Sequence, residues 1–415
     1  MKRFFALALL VACGSAPSAV APAPPRATSS DVSSSFGEAT PESQGVDPAK
    51  LAGLARKIAS EPEAPIFSLL VSRHGKLVFE LYTSGIQRDD AHYVMSVTKT
   101  FTSTLVGIAI DRGLLSGPDE TIADALPREA FPSDADVERF RKLTIRDVLA
   151  MSALDAPVAP HQQTPEAKAR IHAFMQAPNR TTFALGQPLL GEPGKDFLYT
   201  DVTPAIATGI LAYRSHVAPF DFAEENLFRP LGFRNVEWMH VDRTGIDNGA
   251  FGLRVRPIDM QKLGVLFLRG GEWDGKRILS RAMVDLAFTP SIASKPEIAP
   301  NYGWYWWTRR YGPKWVAHCA LGWKGQVIAV FPEQDLVVTM TAAFEGGIEN
   351  KVFDGIVEKW IVPAIASTTP APSADLAPAL EEVRRGPSRF AATLEHRMVP
   401  SASPKEQRRA MVRLP

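Results

Sequence analysis

The sequence VMSVTKTFTS, residues 94 to 103, decides how this chain is interpreted. It begins a helical pattern that runs from Ser96 to Arg112 and stops at Gly113. Ser96 and Lys99 are three residues apart, so they lie on one face of the predicted helix. The apolar positions follow helical spacing at Val97, Phe101, Leu105 and Ile108. Burying a lysine among such apolar neighbours costs free energy, so its position here indicates a functional role.

A serine one turn before a lysine, at the start of a helix, has the chemistry of an acyl-transfer nucleophile. The free backbone N–H groups and the helix dipole favour a negative charge beside Ser96. Lys99 can serve as the adjacent base, and the N–H groups as donors to an oxyanion. The motif alone is a weak signal, because Ser-x-x-Lys arises by chance about once in a chain of this length. The surrounding sequence is therefore needed to decide whether Ser96 is a nucleophile.

The composition is that of a globular protein without an evident nucleic-acid partner. The chain has 415 residues, of which 45% are hydrophobic and 22% charged, and its formal charge is +1. No basic stripe or nucleic-acid-binding motif is present. The sequence has no HExxH motif, no paired-cysteine spacing, no G-x-S-x-G elbow and no glycine-rich phosphate loop. We therefore expect chemistry that needs neither a metal nor a cofactor.

The N-terminus has the pattern of an export signal. MKRFFALALLVAC combines two basic residues with an apolar run that is too short to span a bilayer as a mature helix. Leu10 to Cys13 resembles the lipobox of bacterial lipoproteins, which predicts a lipoprotein-type signal over residues 1–13 and lipidation of Cys13. We expect an exported protein of the cell envelope, anchored to a membrane by its lipid. The alternative is an ordinary secretory signal cleaved near Ala19 or Ala21, which would make the protein periplasmic or secreted.

Composition divides the rest of the chain into three parts. Residues 14–40, rich in Pro, Ala and Ser, are predicted to be a disordered tether. Residues 41–366 are predicted to form the catalytic domain, and residues 367–415 a poorly ordered tail. Besides Cys13 the chain contains one cysteine, Cys319. If Cys13 is lipidated, no intramolecular disulfide can form.

The domain has the pattern of an α/β (α+β) fold. Two β-rich runs, Ile66 to Arg73 and Lys76 to Thr83, meet at the hairpin signal His74-Gly75. Strand-like runs return at Tyr302 to Trp307, Lys314 to Ala320, Val327 to Phe331 and Leu336 to Ala342. Helical patterns lie between them at Ile145 to Met151, Pro165 to Gln176 and Pro204 to Tyr213, the last with Thr203 as its N-cap. This order predicts one sheet closed by distant segments, with helices inserted.

Several motifs, in order, resemble the serine β-lactamase and penicillin-binding-protein superfamily. SVTK followed by TFTSTLVGIAIDRGLL resembles its nucleophile helix, and Tyr199-Thr200-Asp201 partly matches its Tyr-x-Asn loop. LTIRDVLAMSA, ENLFRPLGFRNVEW and GLRVRPIDMQKLGVLFLRGGEWDGKRIL resemble the class C β-lactamase-related branch, which contains esterases, D-amino-acid peptidases and aminohexanoate-dimer hydrolases. The resemblance implies a β-lactamase/transpeptidase-like fold, with an antiparallel sheet flanked by helices and a mostly helical inserted subdomain.

The resemblance also implies roles for three residues. Ser96 would attack, Lys99 would accept its proton, and Tyr199 would relay protons to the leaving group or act as the main base. The alternative for Tyr199 is an aromatic residue of a loop, packed on the core.

The third motif of the superfamily differs here. Where many relatives have Lys-Thr-Gly or His-x-Gly, this chain has Ala320-Leu321-Gly322, and Lys324 comes after that triplet. Without the lysine, the carboxylate of a β-lactam or a peptide lacks a charge partner. The main-chain N–H groups near Gly322 and Trp323 can still complete an oxyanion hole. We therefore expect an acyl-transfer site whose substrate-binding strand includes Ala320.

Asp201 is the other departure from the motif. A neutral lysine costs about 4.6 kcal/mol at pH 7, and a nearby carboxylate raises that cost. Asp201 could point outward beside the following helix, or it could bind a cationic group of the substrate. We favour the outward orientation.

Two further sets of residues are candidates for the site. His318 and Cys319 are adjacent on a predicted strand, so they point to opposite faces and cannot form a dyad. Cys319 is interpreted as a buried apolar residue and His318 as a candidate for the cleft. An aromatic run is interpreted as a hairpin that seals the sheet, with a substrate wall as the alternative. Its members are Tyr302, Trp304, Tyr305, Trp306, Trp307, Tyr311 and Trp315.

These observations predict a serine hydrolase that cleaves a small-molecule ester or amide through an acyl-enzyme on Ser96. One alternative is a true β-lactamase or D,D-peptidase. Another is a binding or sensor module with slow or no turnover, which Asp201 and Ala320 keep open. The sequence leaves the oligomeric state undetermined.

Overall fold

A computed structural model describes residues 36–61, 64–156, 164–239, 242–291, 301–365 and 370–387. The predicted signal, the lipidation site and most of the predicted tether lie outside these residues. The strands are β1 (Ile66–Arg73), β2 (Lys76–Tyr82), β3 (His92–Tyr93), β4 (Glu237–Trp238), β5 (Leu253–Val255), β6 (Glu272–Trp273), β7 (Lys276–Arg277), β8 (Asn301–Tyr302), β9 (Trp307–Arg310), β10 (Val316–Gly322), β11 (Gln326–Phe331) and β12 (Leu336–Ala342).

A seven-stranded sheet with the order β2-β1-β12-β11-β10-β9-β8 forms the centre of the described structure. Its neighbouring strands are all antiparallel. Every residue of β11 and β12 is buried, so these strands are covered on both faces, as their unbroken apolar runs require. The N-terminal hairpin joins the C-terminal strands through the β1–β12 pairing. The predicted closure of one sheet by distant segments is confirmed.

Helices cover both faces of this sheet. They are α1 (Pro48–Ser60), α2 (Val97–Asp111), α3 (Ile122–Ala125), α4 (Asp134–Arg139), α5 (Ile145–Leu149), α6 (Pro165–Gln176), α7 (Arg180–Leu185), α8 (Pro204–Ser215), α9 (Pro219–Ala223), α10 (Pro257–Leu268), α11 (Arg281–Phe288), α12 (Glu349–Ile356), α13 (Val362–Ile365) and α14 (Leu376–Arg385). Helices α2 and α10 pack on β10 to β12, while α1 packs with α13 and α14. In chain order, helices α3 to α9 lie between α2 and β4 and form the predicted helical insertion.

The structure corrects three predictions, one about the C-terminal tail, one about the tether and one about the N-cap of α8. Helix α14 lies within the segment predicted to be poorly ordered, and its Ala379 and Val383 are buried against the rest of the domain. Glu38, predicted to belong to the tether, forms a parallel bridge with Leu77 on β2. Thr203 precedes α8 as predicted, but its side chain makes no cap hydrogen bond.

The aromatic run does not form the continuous strand predicted from Tyr302 to Trp307. Tyr305 has a φ of 59°, in the left-handed region that a strand residue does not adopt. Its backbone N–H donates to the carbonyl of Leu149 at 3.2 Å, so this residue bonds the helical insertion instead of a neighbouring strand. The run is therefore divided between β8 and β9.

No helix within the described residues combines the length and the apolarity that crossing a membrane requires.

Candidate active site

The turn before α2 presents Ser96 at the start of the helix. Val94 is tied to β5, because its N–H donates to the carbonyl of Leu253, the first residue of that strand, at 3.0 Å. Met95 is nearly buried and has a φ of 49°, a strained conformation for a residue with a side chain. Ser96 follows as the N-cap, but its side chain makes no cap hydrogen bond and is partly exposed. Its hydroxyl is thus available to other groups.

Lys99 lies beneath Ser96 and is surrounded by oxygen atoms. Its side chain is 1% exposed. The ammonium donates to Ser96 Oγ at 3.0 Å, to Asp201 Oδ1 at 2.6 Å and to the carbonyl of Ala250 at 3.0 Å. These three acceptors match the three N–H donors of a lysine ammonium. The sequence prediction that Ser96 and Lys99 share a face is confirmed by the contact between them.

The predicted outward orientation of Asp201 is wrong. The Asp201 side chain is 3% exposed and forms a buried ion pair with Lys99. The loop turns it inward because its neighbour Thr200 donates from Oγ1 to the carbonyl of Ala156 at 2.5 Å, while Val202 is fully buried. A buried carboxylate needs an opposite charge, and Lys99 provides it. Asp201 is therefore placed against Lys99 and is not open to a cationic group of the substrate.

The ion pair determines the protonation state of Lys99. Burial alone lowers the pKa of a lysine, because it disfavours the charged form. Burial is the largest single effect, but the Asp201 carboxylate and Tyr199 together outweigh it, so the pKa of Lys99 is raised above its usual value. Lys99 is an ammonium ion at neutral pH.

Tyr199 lies beside this pair and remains partly exposed. Lys99 Nζ is 4.9 Å from the centroid of its ring. The ring packs against Trp307 at 5.6 Å and against Tyr302 at 6.4 Å between centroids. The structure thus brings Tyr199 into the site as predicted, while two aromatic residues of the core hold its ring.

The end of β10 lies directly beside the nucleophile turn. A Cβ at Gly322 would overlap the carbonyl oxygen of Val94 and come 2.9 Å from the Cβ of Gln326. Gly322 is therefore required for the strand to approach residues 94–96 so closely. Trp323 follows at the tip of the hairpin and is 43% exposed.

The other residues considered at this strand, Ala320 and Lys324, are less exposed to solvent than Trp323. Ala320 is fully buried, so its side chain is not exposed in the cleft. Lys324 bonds Glu345, and its Nζ lies 4.9 Å from the ring centroid of Trp323. It does not replace the lysine that the third motif lacks.

His318 and Cys319 occupy opposite faces of β10, as predicted. His318 stacks on Phe288 at 4.0 Å, and its Nδ1 lies 3.2 Å from Thr308 Oγ1. Burial lowers the pKa of His318 to about 4, so it is neutral at pH 7. Cys319 is fully buried, and burial raises the pKa of its thiol to about 12. The structure gives neither residue a contact with Ser96 or Lys99.

The aromatic run mostly forms core, as the favoured interpretation predicted. Tyr302, Trp304, Tyr305 and Trp306 are each at most 2% exposed. Tyr302 and Trp307 contribute indirectly, by supporting Tyr199.

Sequence reasoning missed the carbonyl of Ala250. The segment that carries it is fixed by Asn248, whose Oδ1 accepts from the N–H of Ala250 at 2.8 Å, and by Thr102 of α2, which donates to the carbonyl of Gly249 at 2.9 Å. Asn248-Gly249 is a recognisable turn signal, but nothing in the sequence indicates which helix that turn faces. No cluster of three or more potential metal-ligating side chains occurs within the described ranges.

Comparison with known proteins identifies relatives of this chain. A family model described as Beta-lactamase matches residues 54–357. The 6-aminohexanoate-dimer hydrolase of Paenarthrobacter ureafaciens is 23% identical over 291 residues, which cover 67% of this chain and 72% of that enzyme.

Two solved structures show the same fold. EstCE1, a hydrolase with promiscuous acyltransferase activity, superposes with a TM-score of 0.61 at 18% identity, over 77% of this chain and 98% of that one. A penicillin-binding protein homologue from Caulobacter crescentus superposes with a TM-score of 0.55 at 14% identity, over 71% of this chain and 91% of that one. These likenesses confirm the β-lactamase/transpeptidase-like fold that the sequence motifs predicted.

Proposed function

The chain belongs to the beta-lactamase family, and on that premise we propose that it is a serine hydrolase acting through an acyl-enzyme on Ser96. The observation that carries this proposal is the 3.0 Å hydrogen bond from Lys99 Nζ to Ser96 Oγ at the start of α2. A hydroxyl at a helix N-terminus, held by a cation and adjacent to a second proton-carrying group, Tyr199, is the arrangement that nucleophilic catalysis requires.

The reaction has two balanced stages. Ser96 Oγ bonds the substrate carbonyl carbon while its proton passes to the Lys99–Tyr199 pair. The tetrahedral intermediate then collapses, the bond to the leaving alcohol or amine breaks, and that group takes the proton. Water repeats the sequence on the acyl-enzyme and releases the acid.

The developing oxyanion needs donors that are already in position. We propose the backbone N–H of Ser96 and the N–H groups at the end of β10, near Gly322 and Trp323. The close approach of Gly322 to Val94 supports this assignment, because it brings the strand end beside the nucleophile turn. Such preorganised donors contribute about 2.7 to 4 kcal/mol each.

We propose a small-molecule ester or amide as the substrate, in preference to a β-lactam. Ala320 occupies the position where many relatives have a lysine, and it is buried. Lys324 pairs with Glu345. A substrate carboxylate would therefore lack its charge partner at this strand. The Paenarthrobacter enzyme is named a 6-aminohexanoate-dimer hydrolase and EstCE1 a hydrolase with promiscuous acyltransferase activity; both names support hydrolysis, and the second supports an acyl-transfer step.

One observation favours a slow-turnover or sensor module as the second candidate. The buried Lys99–Asp201 pair opposes formation of a neutral lysine. If the chain depended on a neutral Lys99, acylation would be slow at neutral pH.

The test joins a covalent probe with a substrate panel. We expect a fluorophosphonate probe to label the wild type on Ser96 and to leave Ser96→Ala unlabelled. Short-chain p-nitrophenyl esters should turn over at least about tenfold faster than a chromogenic cephalosporin, a difference of about 1.4 kcal/mol. D-amino-acid amides complete the panel. Unchanged labelling of Ser96→Ala would refute the acyl-enzyme, and efficient cephalosporin turnover without esterase activity would favour the β-lactamase alternative. Labelling without turnover of any substrate in the panel would favour the sensor.

A further inference from the structure

We propose that Asp201 is a positioning residue that holds Lys99 as an ammonium ion, so that Lys99 stabilises the Ser96 oxygen and Tyr199 takes the proton. The inference rests on the proposed function, because it assigns roles around Ser96. It concerns the residue at which this chain departs from the Tyr-x-Asn motif of its family.

The first argument is the geometry around Nζ. Asp201 Oδ1, the Ala250 carbonyl and Ser96 Oγ lie at 2.6, 3.0 and 3.0 Å. Two of these acceptors, the carboxylate and the carbonyl, cannot donate a hydrogen bond. An ammonium donates to all three. A neutral amine could donate to the carboxylate and the carbonyl and accept from the Ser96 hydroxyl, so the charge of Asp201, 2.6 Å from Nζ, decides between the two forms.

The second argument is burial. The side chains of Lys99 and Asp201 are 1% and 3% exposed. If Lys99 lost its proton, the carboxylate would keep its charge in a nearly dry environment without the opposite charge beside it. The proton on Lys99 is therefore part of the folded arrangement.

The third argument is access. A group that moves a proton from Ser96 to a leaving group must reach the substrate. Lys99 is closed off beneath Ser96, whereas Tyr199 is partly exposed and its ring lies 4.9 Å from Nζ. As Oγ bonds the carbonyl carbon, the Tyr199 oxygen takes the Ser96 proton and the Tyr199 hydroxyl gives up its own proton to the leaving group as the scissile bond breaks.

The surroundings of Lys99 make this assignment testable by pH. The titratable groups that face it are Asp201 and Tyr199, both from the loop before α8, while α2 contributes Ser96 and the segment after Asn248 contributes a carbonyl. Removing the Asp201 charge should therefore act on Lys99 directly. Asp201→Asn keeps the shape and one acceptor oxygen but removes that charge.

The experiment measures the second-order rate of Ser96 labelling by a fluorophosphonate between pH 6 and 10.5, in the full chain. The wild type should keep its rate at the alkaline end, because Lys99 keeps its proton there. Asp201→Asn should lose labelling at the alkaline end, with a midpoint at least one pH unit below any fall seen in the wild type. Asp354→Asn, which removes a carboxylate that pairs with Arg309 and does not act on Lys99, is the matched control and should leave the profile unchanged.

Opposite results would overturn the proposal. If Lys99 were the base, Asp201→Asn would label faster as pH rises and reach a plateau without an alkaline loss. An unchanged profile would equally refute the role of Asp201. Labelling that persists in Ser96→Ala would instead refute the proposed function, so the two failures can be told apart.

A second variant covers the case in which Asp201→Asn fails to fold. Lys99→Arg keeps a permanent charge that cannot serve as a base. We expect it to be labelled within about a hundredfold of the wild type and to show no alkaline loss. Complete loss of labelling in a folded Lys99→Arg, as judged by thermal unfolding, would contradict the ammonium role.

Discussion

Gly322 on β10 lies against the carbonyl oxygen of Val94, two residues before the nucleophile. No other residue type fits there without moving the strand or the turn, because a Cβ would overlap that oxygen. The contact joins the last residue of β10 to the turn that presents Ser96. The approach of these two backbones is therefore a requirement of the site.

Gly322→Ala should slow labelling of Ser96 at least tenfold and lower the free energy of unfolding by about 1–3 kcal/mol, because overpacking forces the backbones apart. Labelling rate and urea unfolding measure the two effects. Gly355→Ala, on α12 where an added Cβ would meet no other element within 4 Å, is the control; it should leave labelling unchanged and should not lower the free energy of unfolding. Wild-type labelling in Gly322→Ala would mean that the approach is not needed for acylation.

Tyr199→Phe should reduce the labelling rate by about 10² to 10⁴, the usual contribution of a general acid or base. The ring remains packed on Trp307, so the thermal midpoint should change little. Tyr302→Phe removes a hydroxyl from the neighbouring ring and should keep labelling within a few-fold. If both variants label like the wild type, Tyr199 is only an aromatic residue packed on the core.

His318 should make the fold less stable in acid. Its pKa is about 4 in the folded protein against 6.5 unfolded, so the unfolded chain binds an extra proton between these values. The stability that follows from keeping His318 neutral is fully present above pH 6.5. It is lost as the pH falls toward 4, by about 2 kcal/mol after allowing for partial solvent screening.

Urea unfolding at pH 7 and pH 4.5 tests this. His318→Gln should show a smaller difference between the two pH values than the wild type. His172→Gln, at an exposed position on α6, should behave like the wild type. An equal pH dependence in His318→Gln would assign the acid sensitivity to other groups, of which His92, with a pKa lowered by burial to about 4, is the next candidate.

We propose that Cys13 is lipidated and anchors the chain. Cys13→Ser should then move the protein from the membrane fraction to the soluble fraction and abolish labelling with a radioactive fatty acid. Cys319→Ala, which changes the buried cysteine of β10, should stay in the membrane fraction. A wild type that is already soluble and carries no fatty acid would contradict the proposal.

The sheet could be predicted because its strands carry local signals. Leu336 to Ala342 was predicted with its observed bounds, since a short β-rich run between turns is typical of a buried strand. The run from Tyr302 to Trp307 misled the prediction, because its aromatic residues favour strand while Tyr305 adopts a left-handed conformation. The α14 helix was missed because its apolar residues are few, and they are buried only through tertiary packing on α1 and β2.

The sequence by itself determined the contact between Ser96 and Lys99, because residues three apart on a helix meet whatever the rest of the chain does. Tertiary structure alone decided what surrounds them. Asp201 and Ala250 reach Lys99 from 102 and 151 residues away in the chain. Their direction depends on how the loop before α8 and the turn after Asn248 pack on α2. A local pattern fixes which residues share a helix face, but whether a carboxylate faces water or a lysine is an outcome of long-range packing and of the cost of burying an unpaired charge.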